Sequence, residues 1–589
     1  MINRSISILV LLLVFFHHSF SQGMQWWNPA ASPFRVIEGQ GWQEAGQPPY
    51  DRFPPRAQQG MNPNVWNLSH NSAGLYIKFR SDAPDIVVRY VVQGKGNFAF
   101  PHMPATGVSG VDLYSLSLDG AWQWAPGHYA FGDTIEYRFP HLQADPNFKN
   151  RAVEYRLYLP LYNTVNWMEI GVASGKQFAP MPLSAEKPIV VYGTSIAQGA
   201  CATRPGLAWP AILNRHFDRP LLNLGFSGNG LLEPHVLSLL AEQDAKIYVL
   251  DCMPNLSLPQ FSNDTVAARI VTAVEMLQAR HPGVPILFVE HGGDLPGNLM
   301  DTTRINEYTK VNRVLRKTFA QLIASGKKGL YLLSDKEIGF DIESTVDGIH
   351  PNDAGMLQQA RAYEKVIRKI LNESSGSIST TIPVVQSRDG FYDWRARHQE
   401  QLLMNKTHPP RNLIMGNSII HFWGGEPKAP QPRGAAAWEQ YLAPLGVRNM
   451  GYGWDRIENV LWRVQHDELD GFDAQHVLLM IGTNNLEGNT DDEIMTGLEN
   501  LVQAVKQRQP KAGVIISGIL PRRNMEPRVA ALNKRIAAMA AKQQIRYINP
   551  GTVFLGKNGK IDETLFSDGL HPVAAGYEKL GKELQAALK

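Results

Sequence analysis

Two serines in this chain stand where nucleophilic chemistry could be done. Ser418 closes "NLIMGNS", an apolar strand-like run that ends on Gly416-Asn417-Ser418-Ile419. Downstream come "NMGYGWD" (Asn449 to Asp455), "GTNN" (Gly482 to Asn485) and "SDGLHP", which holds Asp568 and His571. Together these blocks offer a hydroxyl nucleophile, neutral donors for an oxyanion, and an acid–base pair. A copy in weaker lettering precedes it. Ser195 lies in Gly193-Thr194-Ser195-Ile196, followed by "NLGFSGNG" (Asn223 to Gly230), "LDCMPN" with Asn255, and "VDGIHP" with Asp347 and His350. The serine-to-histidine interval is 155 residues in the first set and 153 in the second, which points to a duplicated architecture. Any one of these blocks alone is most simply a tight turn or a chance pair. Their order is the signal.

The surrounding elements are those that would position such groups. From about Lys187, apolar runs ("PIVVYGTS", "KIYVLD", "PILFVE", "GLYLLS") alternate with helical stretches such as Asp264 to Arg280. That alternation predicts a doubly wound, flavodoxin-like parallel sheet, whose ligand sites lie at the carboxyl ends of the strands. Asn372 to Thr381 ("NESSGSISTT") reads as a polar linker, after which "NLIMGNS", "HVLLMIGTNN", "GVIISGILP" and "IRYINP" repeat the α/β texture. Thr490-Asp491-Asp492-Glu493 predicts a capping box opening a helix to about Gln509. Ahead of both, Gln22 to Pro182 shows short runs bounded by turn residues, without sustained helical periodicity. We expect a β-sandwich of jelly-roll type there. The expected domains are residues 22–184, 185–373 and 374–589, after a signal peptide at 1–21.

The second α/β set resembles the SGNH (GDSL-type) hydrolases, and among them the platelet-activating-factor acetylhydrolase α-subunit branch. The resemblance implies Ser418 as nucleophile, His571 as base, Asp568 as its orienter and Asn484 as side-chain oxyanion donor. The family's oxyanion glycine is replaced by Trp454, whose N–H can still donate; with a shifted loop Gly453 would take that place. The first set resembles an SGNH branch that follows a β domain carrying Gly-x-Asp-Leu-Tyr, present here as Gly110-Val111-Asp112-Leu113-Tyr114. It implies Ser195, Asp347 and His350 as a triad, with Gly228 and Asn255 at the oxyanion. Both sites would carry out two-step acyl transfer with no metal or organic cofactor. In agreement, no CxxC or HExxH spacing occurs.

Composition narrows the classes further. Of 589 residues, 44% are hydrophobic and 19% charged, which excludes a disordered, collagen-like or coiled-coil chain. Lys+Arg 57 against Asp+Glu 54 leaves +3 with no basic stripe, so nucleic acid is not an expected partner. Arg4, the apolar run Ile6 to Phe16 and Ser19-Phe20-Ser21 read as an export signal cut before Gln22, and no other stretch suits a membrane helix. The protein is therefore expected to be exported, periplasmic or secreted.

Several residues keep two readings. Cys201 and Cys252 either pair across the crevice or are two buried thiols. Trp26, Trp27, Trp122 and Trp124 either stack sugar rings or pack the sandwich. His421 and Trp423 either line an acyl pocket or face the core. Asn255-Leu256-Ser257 is formally a glycosylation acceptor, though a glycan would block the oxyanion site. The expected activity is removal of O-acetyl or other short acyl groups from carbohydrate. The alternatives are a lipase, lysophospholipase or thioesterase, and a glycan-binding protein with an inert hydrolase domain. Oligomeric state is left open.

Overall fold

The computed structural model describes residues 23–117, 120–142, 152–292, 301–373, 375–388 and 390–589; the expected signal peptide lies outside them. Two antiparallel sheets form the N-terminal region. One runs Met24–Trp27, Val165–Ala173, Ile86–Val92, Ile135–Phe139, His128–Ala130; the other runs Phe178–Pro180, Tyr76–Ser81, Val153–Tyr158, Asp112–Leu116, Trp122–Ala125. Alternate residues from both, among them Ile77, Phe79, Val88, Tyr90, Leu113 and Leu157, fill one core, as two-residue periodicity demands. A helix, Pro63–Ser69, interrupts the β region. It is capped by Asn62, whose side chain accepts from Asn64 N–H, and has Pro63 in its first turn. At two turns it is too short to leave a helical period in the sequence.

Each α/β region holds a five-stranded parallel sheet with the same strand order. The first runs Leu221–Gly225, Ile189–Gly193, Ile247–Asp251, Ile286–Val289, Leu330–Leu333. The second runs Val447–Gly451, Asn412–Gly416, His476–Met480, Gly513–Ser517, Arg546–Ile548. Both faces are covered. Val190 and Tyr192 enter one core while Ile189 and Val191 enter the other, and Leu413 and Met415 are likewise opposed to Ile414. The serine-bearing strands end level with their neighbours: Gly193 pairs with Gly225 and Asp251, and Gly416 with Gly451 and Met480. The loops carrying the sequence blocks therefore converge at one sheet edge in each domain. The capping box at Thr490 and Glu493 opens the helix Asp491–Arg508.

The expected polar linker is corrected by the structure. Thr380 is buried and its hydroxyl donates to the Glu493 carbonyl at 2.7 Å. Glu373 is buried and pairs with Arg508. Short polar side chains suit a free linker by composition, but here they satisfy buried groups between the two domains. A helix at Trp394–Thr407 then packs on the second domain, where Trp394 joins Leu116, Val385, Tyr452 and Trp462 in a cluster spanning β-sandwich and second domain.

Candidate active sites

Each serine begins a four-residue helix at the end of its strand, Ser195–Gln198 and Ser418–His421, instead of sitting on an open loop. Thr194 and Asn417 cap these helices by accepting from Ile196 and Ile419 N–H. As first helical residues, the serines keep backbone N–H groups without an intrahelical partner.

The predicted triads assemble. Ser195 Oγ lies 2.9 Å from His350 Nε2, and His350 Nδ1 lies 2.8 Å from Asp347 Oδ2. Ser418 Oγ lies 2.8 Å from His571 Nε2, and His571 Nδ1 lies 2.7 Å from Asp568 Oδ2. The Asp-x-x-His turn also makes Asp347 Oδ1 accept the N–H groups of Ile349 and His350, and Asp568 Oδ1 those of Leu570 and His571. Burial alone would raise both carboxyls, but hydrogen bonds from the histidine ring and backbone outweigh it and hold them below the ordinary range. Each Asp therefore stays ionised beside its imidazole.

The two candidate oxyanion loops follow the same pattern. Gly228 has φ +68° and Trp454 has φ +65°, so both present their N–H from the left-handed region, which glycine tolerates and tryptophan does not favour. Among the described residues no protein group accepts either N–H. One amide hydrogen of Asn255 goes to the Asn229 carbonyl at 2.6 Å, and one of Asn484 to the Asp455 carbonyl at 2.9 Å, leaving the second hydrogen of each Nδ2 unassigned. The Gly453 N–H donates to His421 Nδ1 at 3.1 Å, so of the two neighbouring amides it is the Trp454 N–H that stays unpaired among the described residues. Trp454 is half exposed (51%).

Residues from the β-sandwich complete the first site, a contribution sequence reasoning missed. A cleft of about 690 Å³ is shared by Asn64, Asn67, Phe100, His102 and Tyr162 with Gly228, Asn229 and His350. His102 and His350 stack with centroids 6.2 Å apart, and Phe100 stacks on His102 at 5.9 Å. The Gly110 to Tyr114 motif docks the domains. Asp112 accepts from Arg204 at 2.6 Å and from Gly206 N–H at 3.0 Å, and Arg215 stacks on Tyr114. A Cβ at Gly206 would lie 2.3 Å from the Tyr114 ring, so only glycine allows this approach.

The open readings resolve as follows. Cys201 and Cys252 are buried and unpaired, and burial pushes both thiols up. Trp122 and Trp124 serve the docking interface, donating to the Arg215 carbonyl and to Asp112 beneath Arg156 and Arg204. Trp27 packs on Phe178, and Trp26 lies beneath Arg89. Trp423 is core, against Trp438 and Tyr577.

Comparison with known proteins agrees with this geometry. Two profiles described as the GDSL-like lipase/acylhydrolase family match residues 186–368 and 414–579, and one described as the N-terminus of an SGNH-hydrolase-type esterase matches 24–178. Platelet-activating factor acetylhydrolase IB subunit alpha2 of Rattus norvegicus is 31% identical over 198 residues, covering 32% of this chain and 81% of that protein. The bovine subunit alpha1 is 27% identical over 209 residues, covering 35% of this chain and 86% of that protein. Among solved structures, a putative GDSL-like lipase from Bacteroides ovatus is 32% identical, with a TM-score of 0.52, covering 59% of this chain and 98% of that one. With an SGNH-type β-sandwich followed by two α/β domains that each match the hydrolase profile, the chain belongs to the GDSL-like lipase/acylhydrolase family.

Proposed function

We propose that the protein is an exported serine esterase with two catalytic sites, Ser195–His350–Asp347 and Ser418–His571–Asp568, that removes short acyl groups from carbohydrate. The observation that carries the catalytic reading is the pair of unbroken Ser–His–Asp chains, each beside an unpaired loop N–H. In the first step His Nε2 takes the serine proton as Oγ attacks the ester carbonyl. The oxyanion is met by the serine N–H, by Gly228 or Trp454 N–H, and by Asn255 or Asn484. Collapse expels the alcohol, which takes the proton from the imidazolium. Water, deprotonated by the same histidine, then attacks the acyl-enzyme and releases the carboxylic acid. The ionised Asp fixes the tautomer and stabilises the imidazolium throughout.

Support for a sugar alcohol comes from the first cleft, which Asn64 and Asn67 line together with Phe100 and Tyr162. Polar groups for hydroxyls beside flat apolar faces suit a pyranose ring better than an acyl chain. A short acyl group follows the relatives named acetylhydrolases; their name also favours, as a second reading, the acetyl ester of a phospholipid. Export rests on the N-terminal sequence pattern.

Incubation with a serine-directed fluorophosphonate should abolish hydrolysis of p-nitrophenyl acetate and mark Ser195 and Ser418 by mass, while EDTA leaves turnover intact. Turnover that survives full labelling of both serines, or that is lost to EDTA and restored by zinc, would refute the mechanism.

A further inference from the structure

The residue three positions after each nucleophile makes the same contact in both domains, although the two side chains differ in kind. Gln198 Oε1 accepts the N–H of Ser227 at 2.9 Å, and His421 Nδ1 accepts the N–H of Gly453 at 3.1 Å. Ser227 and Gly453 are the residues immediately before the oxyanion donors Gly228 and Trp454. Both acceptors are essentially buried, at 0% and 1% exposure. We infer that Gln198 and His421 are equivalent positioning residues that hold the peptide before each oxyanion donor, so that the next N–H faces the reacting carbonyl.

The arrangement is rigid on the far side too. Gln198 Nε2 donates to Asn71 Oδ1 at 3.2 Å and to the Leu161 carbonyl at 3.1 Å, tying the first loop to the β-sandwich. In the second site the Gly453 carbonyl accepts from Gln386 at 2.7 Å and from Tyr392 at 2.9 Å. Segments ahead of the serine-bearing strand of each sheet therefore brace its oxyanion loop. Gly453 is thus held in two successive peptide planes: its N–H, in the Tyr452–Gly453 peptide, by His421, and its carbonyl, in the same plane as the Trp454 N–H, by Gln386 and Tyr392, which together fix the direction of the Trp454 N–H.

A histidine serves as acceptor only when Nδ1 is unprotonated, and the site enforces that form. Burial, with Arg397 and Arg463 adding repulsion, pushes the His421 pKa down to about 2. With Nδ1 accepting, the ring proton sits on Nε2, which is buried and has no hydrogen-bond partner among the described residues. An unsatisfied buried donor costs stability. Its retention fits selection for what Nδ1 does, since functional positions are where local rules are broken.

The inference rests on the esterase reading and is tested separately from it. In a Ser195→Ala background, turnover of p-nitrophenyl acetate by the Ser418 site is measured for the wild-type position, His421→Gln and His421→Leu, with melting temperatures in parallel. Glutamine supplies the acceptor the first domain uses, so kcat should stay within about threefold. Leucine fills the space but accepts nothing, so kcat should fall about 10- to 100-fold, less than loss of a donor itself, with KM within about threefold. If the leucine variant does not melt cooperatively, His421→Phe replaces it, because its ring keeps the flat shape but offers no acceptor to the Gly453 N–H and should lower kcat as leucine would. Equal kcat in the Gln and Leu (or Phe) variants overturns the inference alone. No turnover and no fluorophosphonate labelling of Ser418 in the parent overturns it together with the esterase reading.

Discussion

Arg219 in the first α/β domain grips both carboxylate oxygens of Asp467 in the second, at 2.7 and 3.2 Å, with neither side chain more than 8% exposed. Lys246 adds a third contact to the same carboxylate at 2.7 Å. Arg395 makes a similar bridge, reaching Glu154 of the β-sandwich and Asp218 of the first domain at 2.8 Å each. The three domains thus share buried charge, and each triad is self-contained only in its reacting atoms.

Asp467→Ala should therefore be severe. Removing the carboxylate takes the bidentate partner from buried Arg219, whose remaining carboxylate is Glu186 at 3.9 Å, and leaves Lys246 on Asp470 at 2.7 Å; losing one partner of a buried pair costs about 3–5 kcal/mol. A urea melt of the full chain should show the loss, while Asp473→Ala, an exposed partner of Lys511, should cost less than about 1 kcal/mol. Equal midpoints for the two variants would contradict the interface as described.

Asp251, at the end of the strand beside that of Ser195, predicts a pH dependence of stability. It is 2% exposed, and burial raises its pKa from 3.8 to about 7. A raised carboxyl keeps its proton in the native state, so its ionisation destabilises the fold progressively as pH climbs from about 4 through about 7. A tenfold change in proton affinity is worth roughly 1.4 kcal/mol, so the effect is on the order of a few kcal/mol above pH 7. Asp251→Asn should melt higher than wild type at pH 8 and close to it at pH 4. A constant offset across that range would rule out Asp251 as the titrating group.

His102 reaches the first site from the β-sandwich, so its loss should be felt at one serine only. His102→Ala in a Ser418→Ala background should raise KM for an acetylated glycan about tenfold, the order expected for about 1.4 kcal/mol of lost binding. The same change in a Ser195→Ala background should leave the second site's KM as it was. A shift at both sites would mean general disturbance of the fold.

Trp454, the proposed oxyanion donor of the second site, holds a left-handed conformation that costs a non-glycine residue roughly 1–2 kcal/mol. Trp454→Gly keeps the N–H and removes the strain, so kcat at the Ser418 site should change by less than about threefold. A fall of about 100-fold would assign the indole itself a part in the chemistry.

Much of this organisation was legible in the residues because it depends on local period and order. Alternating apolar runs with "GTS", "GNS", "DGIHP" and "DGLHP" at their ends sufficed for two parallel sheets and for the triads, since Asp-x-x-His is a single turn. The oxyanion support was not legible. Gln198 and His421 share no chemistry except an acceptor atom, and their equivalence shows only once Ser227 and Gly453 are placed beside them. The contributions of Asn64 and His102 were hidden for another reason: they lie far ahead of His350 in the chain, in a fold that looked merely accessory. The segment from Asn372 to Thr381 misled because composition cannot tell a free polar loop from one whose hydroxyls and carboxylate are used up in an interface.

The central claim is that both serines act. Acetate release from a panel of acetylated glycans and from p-nitrophenyl acetate, measured for Ser195→Ala, Ser418→Ala and the double variant, addresses it directly. The account predicts that each single variant loses release from a different class of ester and that only the double variant is inert. If Ser195→Ala leaves every activity unchanged while Ser418→Ala removes all of them, the first domain is a scaffold and the two-site account is wrong.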